Sequence, residues 1–314
     1  MTAGGLPATA GETIGAVPPD PPAARAGRAA DAAPRRRGFV VQALRLGRTR
    51  LGLVLVGAVA AVAVFGPFFA PHATTAFVGA PFTGPSPGAS LGTDYLGRDV
   101  LSRFLGGGRT ILVIGLLGTL LGVGCGTALG LFAGYSMRLG DEIVMRTIDL
   151  LLSFPGIVLA LLLITVIGPH DWVIVLVVGL TFMPQTARIV RSSTIQVRDC
   201  DFVRYAQGIG TRTGRILREE ILPNITAPLT VEFGLRLTQA IGLIAGLDYL
   251  GLGAGPPTAD WGLMIHENQD GLITAPFSVL LPVAAIALLT IGANLVTDGL
   301  GIAAAGAERT AADA

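Results

Sequence analysis

Long apolar runs separated by short polar stretches organise this chain. About 20 consecutive apolar residues are enough to cross the hydrocarbon core of a bilayer. Six runs approach or exceed that length: 51–70, 110–135, about 143–167, 172–190, 225–247 and 278–300. Pro155 predicts a kink in the third run and Pro184 an interruption in the fourth. The second run carries Gly115, Gly118, Gly122, Gly124, Gly126 and Gly130. Small residues three and four apart let helices approach closely, which predicts an interior, helix-packed position for this span. The expected fold is all-α: a polytopic membrane protein with six transmembrane helices.

Composition agrees. Of 314 residues, 51% are hydrophobic and 14% charged, and the mean hydropathy is +0.67. Soluble domains run nearer about 25% charged, and a chain this apolar could not cover its surface in water. The net charge of +1 says little; the distribution of charge says more. All 22 basic residues are Arg. A phosphate-binding loop of the G-x-x-x-x-G-K-[ST] type needs a Lys, so the chain cannot carry an ordinary ATP site of that kind.

Residues 1–48 are rich in Ala, Pro, Gly and Arg, lack apolar periodicity and are expected to be disordered and cytoplasmic. With no apolar core near Met1, a cleaved signal peptide fits poorly. The cluster Arg35, Arg36, Arg37, Arg45, Arg48 and Arg50 precedes the first run. It admits a nucleic-acid reading, but beside a span it more simply marks the cytoplasmic side, and no nucleic-acid partner is expected. With the N-terminus inside and the spans alternating, 18 Arg fall inside and three (Arg98, Arg103, Arg109) outside. Both termini, including a tail at 303–314, are therefore expected in the cytoplasm of a bacterial cell, with 49–302 as the membrane domain. Cys125 and Cys200 are unrelated in depth, and His72, His170 and His266 are scattered, so no metal site is expected. No residue is set up for covalent chemistry, and the chain reads as a non-enzyme.

The segment 191–224 is too long for a simple turn between spans. Arg191, Arg198, Arg204, Arg212, Arg215 and Arg218 alternate with apolar residues, Gly208 and Gly210 divide it into two short helical stretches, and Pro223 ends the second. Two readings stand level: an amphipathic segment resting on anionic lipid, or a docking element for a cytoplasmic partner. Within the fifth run, Glu232 and Arg236 stand one helical turn apart and can neutralise each other, either lining a pathway or as a structural pair. Asp149 in the third run is a similar intramembrane charge. Outside, Gly92, Gly97, Gly251 and Gly253 suit turns at positive φ. Asp94, Arg98 and Asp99 are expected to pair in water-exposed loop, where pairing contributes little to stability. Trp261, after Pro256 and Pro257, is expected as an interfacial anchor.

Three stretches in order carry a family resemblance. SLGTDYLGRDVLSRFLGGGRTIL, including Gly92, Thr93, Asp94, Gly97, Arg98 and Asp99, resembles the G-T-D-x-x-G-R-D stretch of dipeptide, oligopeptide and nickel permeases of ATP-binding-cassette importers, in their second, C-type subunit. DYLGLGAGPPTADWGLMI resembles their L-G-L-G-x-x-P-P-x-x-x-W-G turn, with Ile244, Ala245 and Gly246 replacing the Glu-Ala-Ser lead-in. The segment after span four is similar to the EAA loop of such permeases: Ala206, Gly210, Leu222 and Pro223 match, whereas Arg204 and Tyr205 stand in place of Glu-Ala, and Glu220 in place of a common His. The resemblance covers about 40–302. It implies a type I importer permease forming half of a pathway for peptides or a related solute, nickel chelates included. It also implies a second permease, separate ATPase subunits that bind the ATP, an extracytoplasmic binding protein, and no cofactor on this chain. A permease that no longer couples to ATP and a stand-alone secondary transporter are the alternatives.

Overall fold

The computed structural model describes residues 38–136, 138–253 and 255–312. Helices account for nearly all regular structure there. They are α1 (Gly38–Arg45), α2 (Gly47–Phe65), α3 (Val100–Gly106), α4 (Gly108–Tyr135), α5 (Arg138–Leu152), α6 (Gly156–Ile167), α7 (Asp171–Arg198), α8 (Asp201–Gly208), α9 (Thr213–Arg215), α10 (Leu222–Asn224), α11 (Thr226–Tyr249), α12 (Trp261–Asn268) and α13 (Phe277–Ala312). Among the described residues, four helical stretches are long and apolar enough to cross a membrane: Gly47–Phe69, Val100–Tyr135, Asp171–Arg198 and Phe277–Gly306. A fifth is a pair, Leu139–Leu152 with Gly156–Ile167, bent by 83°. The fifth apolar run of the sequence becomes α11, whose 24 residues suffice in length but include Glu232, Arg236 and Gln239, which dilute its apolar character.

The bundle is organised by α4 and α7, which lie against each other along their lengths. The contact face of α4 is a row of glycines four apart: Gly118, Gly122, Gly126, Gly130 and Gly134. A Cβ on Gly122 would lie 2.8 Å from the carbonyl oxygen of Gly179, one on Gly126 2.7 Å from that of Met183, and one on Gly130 2.6 Å from that of Ala187. The two backbones thus touch, as small-residue stripes allow in membranes. Gly124, off this face, has open space around it. Pro184 sits inside α7 without interrupting it, a correction to the expected break. The α4 backbone at Gly126 presses against both Met183 and Thr186, on either side of the missing hydrogen bond. At Pro155 the opposite holds. The expected kink is a bend of 83°, because Pro155 caps α6 instead of continuing α5, and the Ser153 and Phe154 amides close short turns.

The remaining helices pack around this pair. Gly52 of α2 meets the Gly292 carbonyl of α13 at a would-be Cβ distance of 2.6 Å. A core formed by Val59, Ile111, Ile164, Val177, Ile244, Trp261 and Leu289 joins α2, α4, α6, α7, α11, α12 and α13. Two boundaries move. Residues 38–48, expected to be disordered, form α1 and the start of α2, with Ala43 fully buried and Thr49 1% exposed. The tail expected from 303 continues α13 to Ala312. Residues 1–37 lie outside the described residues.

Gly126→Leu is expected to overpack the α4–α7 contact by about 1–3 kcal/mol or more, whereas Gly124→Leu is expected to be tolerated. Thermal unfolding of the detergent-solubilised protein separates the two; equal midpoints would show that the glycine row is not the contact.

Candidate functional site

Three polar arrangements occupy different depths of the bundle. At one end lies the segment between α7 and α11. Helix α8 is seated by Val203 and Ala206, which join Ile216 and Ile221 in a small core against Leu131 and Tyr135 of α4. Its other face is bare: Phe202 is 43% exposed, Tyr205 71%, and Ile209 64%. These residues stand three and four apart, so they form one ridge pointing away from the bundle. Arg204 is exposed beside them. Gly210 has a φ of +77° and nothing near the position of a Cβ. It turns the chain from α8 toward α9 in the left-handed region that favours glycine. The second helical stretch continues through a π-helical turn, Ile216–Ile221, into α10. Leu222 and Pro223 begin α10, so Pro223 does not end the stretch, contrary to expectation. At a first helical turn its missing N–H costs nothing. The Glu220 carbonyl accepts from Asn224 at 2.6 Å.

The second arrangement is at mid-depth. Glu232 and Arg236 are 2% and 8% exposed. Arg236 Nε donates to Glu232 Oε1 at 2.6 Å, and Thr186 Oγ1 donates to the same oxygen at 3.1 Å. Arg236 Nη1 donates to Gln239 at 2.5 Å and also to Gln185 of α7. The guanidinium carbon lies 5.9 Å from the centre of the Phe182 ring. The pair is therefore a network tying α11 to α7 beside Pro184. Gln185 and Pro184 also line a cavity of about 230 Å³ in the elbow between α5 and α6. Asp149 is not part of this network. It is 59% exposed on α5 and pairs with Arg188 of α7, and nearby Asp141 pairs with Arg191. Asp149 therefore serves an ion pair between α5 and α7, apart from the Glu232–Arg236 network.

The third arrangement, at the other end, departs most from expectation. Asp94, Arg98 and Asp99 are buried, at 0%, 3% and 2% exposure, instead of pairing in water. Asp94 Oδ1 accepts from the Leu96 and Arg98 amides at 2.9 and 2.8 Å, and its Oδ2 accepts from Arg98 Nε at 2.6 Å. Arg98 and Arg103 both donate to Glu267 Oε2, at 3.1 and 2.7 Å. Tyr95 donates to Glu267 Oε1 at 3.0 Å; burial first, and the Glu267 carboxylate second, push its phenol pKa up. Asp99 caps α3 by accepting from the Ser102 amide at 3.0 Å. Gly92, Gly97 and Gly251 have φ of +86°, +83° and +76°, as expected of turn glycines. Thr93 Oγ1 donates to the Ala80 carbonyl at 2.6 Å. Trp261 is fully buried, not an interfacial anchor. Its Nε1 donates to the Phe104 carbonyl at 2.8 Å, its ring stacks on Phe104 at 5.5 Å, and a Cβ on Gly108 would meet it at 2.5 Å.

Sequence reasoning did not single out Arg103, Tyr95, Glu267 or Asn268. Arg103 had a signal, one turn after Asp99 at a helix start. Glu267 had none, since its partners lie more than 160 positions earlier. Asn268 joins the cluster by accepting from the Tyr95 amide at 2.9 Å. Among the described residues no group of three or more His, Cys, Asp or Glu is placed to hold a metal.

A helical bundle with long apolar spans and a hydrogen-bonded ion pair among them defines a polytopic membrane protein. Residues 126–301 match the family described as binding-protein-dependent transport system inner membrane component, and the chain belongs to that family. It is 38% identical over 217 residues to the glutathione transport system permease protein GsiD of Pectobacterium atrosepticum, covering 69% of this chain and 72% of that protein. It is 34% identical over 252 residues to the dipeptide transport system permease protein DppC of Alkalihalophilus pseudofirmus, covering 80% and 83%. GsiD of Shigella dysenteriae is 36% identical over 217 residues, covering 69% and 72%. The resemblance to importer permeases of the peptide and nickel group is thereby borne out, and the chain is a membrane-spanning transport subunit.

Two outcomes follow from the buried charges. Glu267→Ala leaves Arg98 and the wholly buried Arg103 to share Asp94 alone, so one buried positive charge loses its counter-charge. It is expected to cost about 3–5 kcal/mol, the usual penalty for breaking a buried pair, read as a lowered unfolding midpoint in detergent. In the mid-depth network, Arg236→Ala alone is expected to lower expression and stability more than Glu232→Ala with Arg236→Ala, because the single change leaves a buried carboxylate without its cation. Strictly additive losses in that cycle would show that the two side chains act independently.

Proposed function

We propose that this chain is one of two permeases of an ATP-driven importer for peptides or a related small solute, coupled to separate ATPase subunits through α8. The observation that carries the proposal is the ridge of Phe202, Tyr205 and Ile209, held outward while Val203 and Ala206 anchor the helix beneath it. A rigidly seated helix with a bare aromatic ridge suits insertion into a protein groove, where aromatic anchors dominate binding energy. Arg204 and Tyr205 replace the acidic and small residues usual at these positions, so the groove would meet a cation and a ring. The second permease and an extracytoplasmic binding protein complete the assembly.

In this reading α8 and both termini face the cytoplasm of a bacterial cell membrane, and the cluster around Asp94, Glu267 and Trp261 faces outside, in keeping with the Arg asymmetry. ATP is bound by the partner, and this chain carries no catalytic group. Peptides are the favoured cargo because the similar proteins are named for glutathione and dipeptide transport. The Glu232–Arg236 network would lie along the path, beside the cavity lined by Gln185. An alternative, a permease uncoupled from ATP, is kept in view by the Arg204–Tyr205 replacement alone.

The test is co-purification of the ATPase subunit with wild type, Tyr205→Ala/Ile209→Ala and Gly210→Ala. Loss of two ridge side chains is expected to weaken binding about 30-fold or more, corresponding to about 2 kcal/mol or more. Gly210→Ala is expected to act more weakly, through strain at positive φ and not through a clash. Retention of the ATPase by the double variant, with normal uptake, would assign the ridge to lipid instead.

A further inference from the structure

The turn that joins α11 to α12 is built around two carboxyl groups that the transport reading does not use. Asp248 stands at the end of α11 and Asp260 caps α12, and they are 2% and 0% exposed. Asp260 Oδ1 accepts from the Gly262 and Leu263 amides at 2.8 and 3.2 Å. Its Oδ2 and the Oδ2 of Asp248 are buried without a donor, and the two side chains meet at Gly262, whose amide donates to Asp260 and whose Cβ position lies against Asp248. Glycines clear the space around the first carboxyl. A Cβ on Gly253 would lie 1.6 Å from Asp248 Oδ1, and one on Gly262 2.4 Å from Asp248 Cβ and 3.0 Å from its Oδ2. Gly253 was expected to serve a left-handed turn; what it supplies is room for this side chain.

Among the described residues neither carboxyl is in an ion pair, and Arg98 and Arg103 are committed to Asp94 and Glu267. The further charge acting on both from α7 is Asp171, itself an anion. Arg109 of α4 lines a cavity with Asp171 and pairs with neither carboxyl. On α12, His266 turns edge-on to the Tyr249 ring, and Glu267 is taken by the arginines.

Two acceptor-only groups buried against each other cannot both be ionised, since desolvation and like charge each oppose it. One proton resolves the conflict. It turns one carboxyl into a donor and satisfies an orphaned oxygen on each side. We propose that Asp248 and Asp260 form a proton-binding site whose shared proton latches the 250–260 turn onto the end of α11. The turn leads directly into Trp261 and Glu267, so the latch holds the segment that positions both. Burial pushes the Asp260 pKa above the usual carboxylate range, in agreement with the geometry. The folded chain then binds a proton that the unfolded chain has released. The stabilisation is complete below the ordinary carboxylate pKa of about 4 and is lost as pH rises through the raised value.

The test is infrared titration of the full-length chain in lipid nanodiscs, alongside Asp248→Asn and Asp260→Asn. Wild type near pH 7 is expected to show a protonated-carboxyl band worth one group, absent from both variants. Its unfolding midpoint is expected to fall as pH is raised toward alkaline values, while Asp248→Asn, whose amide donates at every pH, shows a flatter profile. The wild-type spectrum stands even if a variant fails to fold. The proposal is overturned if wild type shows no such band near neutral pH. It is equally overturned if sodium or calcium chloride, at constant ionic strength, stabilises wild type but not Asp248→Asn, which would make the site a cation site.

Discussion

The rest of the structure depends on the contact between α4 and α7. In a bilayer, apolar side chains gain little by leaving lipid for protein, so helix association rests on close packing and on interhelical hydrogen bonds. Five glycines in one row let the α4 backbone touch that of α7 from Gly118 to Gly134. That contact flanks Pro184, through which α7 continues. It also places Gln185 and Thr186 opposite α11, and delivers Arg188, Arg191 and Arg198 to the end where α8 begins. The seat of α8 is made from the ends of both helices, through Leu131, Tyr135 and Val197. The ridge of α8 is thus mounted directly on this helix pair.

The charges obey a second constraint. Buried ions are tolerated when each finds counter-charge and hydrogen bonds. Glu232 and Arg236 do so through three further side chains on α7 and α11. At the other end, Asp94, Arg98, Arg103 and Glu267 form a closed set that ties the 71–99 loop to α12. Trp261 adds an apolar pin to the same joint. These contacts link parts of the chain more than 150 residues apart, so the segment that the family motif occupies is a fastening as well as a surface. Asp248 and Asp260 stand apart from that solution, since among the described residues no cation pairs with them.

The sequence by itself determined the helical class, the apolar spans, the inward packing of the glycine-rich second span, the Glu232–Arg236 pair one turn apart, and the division of 191–224 at Gly210. All of these are local: they follow from run length, from the helical repeat and from residues whose backbone freedom is intrinsic. Only the tertiary structure decided what each motif does. Asp94, Arg98 and Asp99 look like surface charges until a distant α12 covers them with Glu267. Trp261 reads as an anchor until Phe104 and Gly108 enclose it, and Gly253 reads as a turn glycine until the Asp248 side chain fills its space. Burial and partnership are properties of chain segments far apart in sequence, and no periodicity along one segment encodes what will cover it.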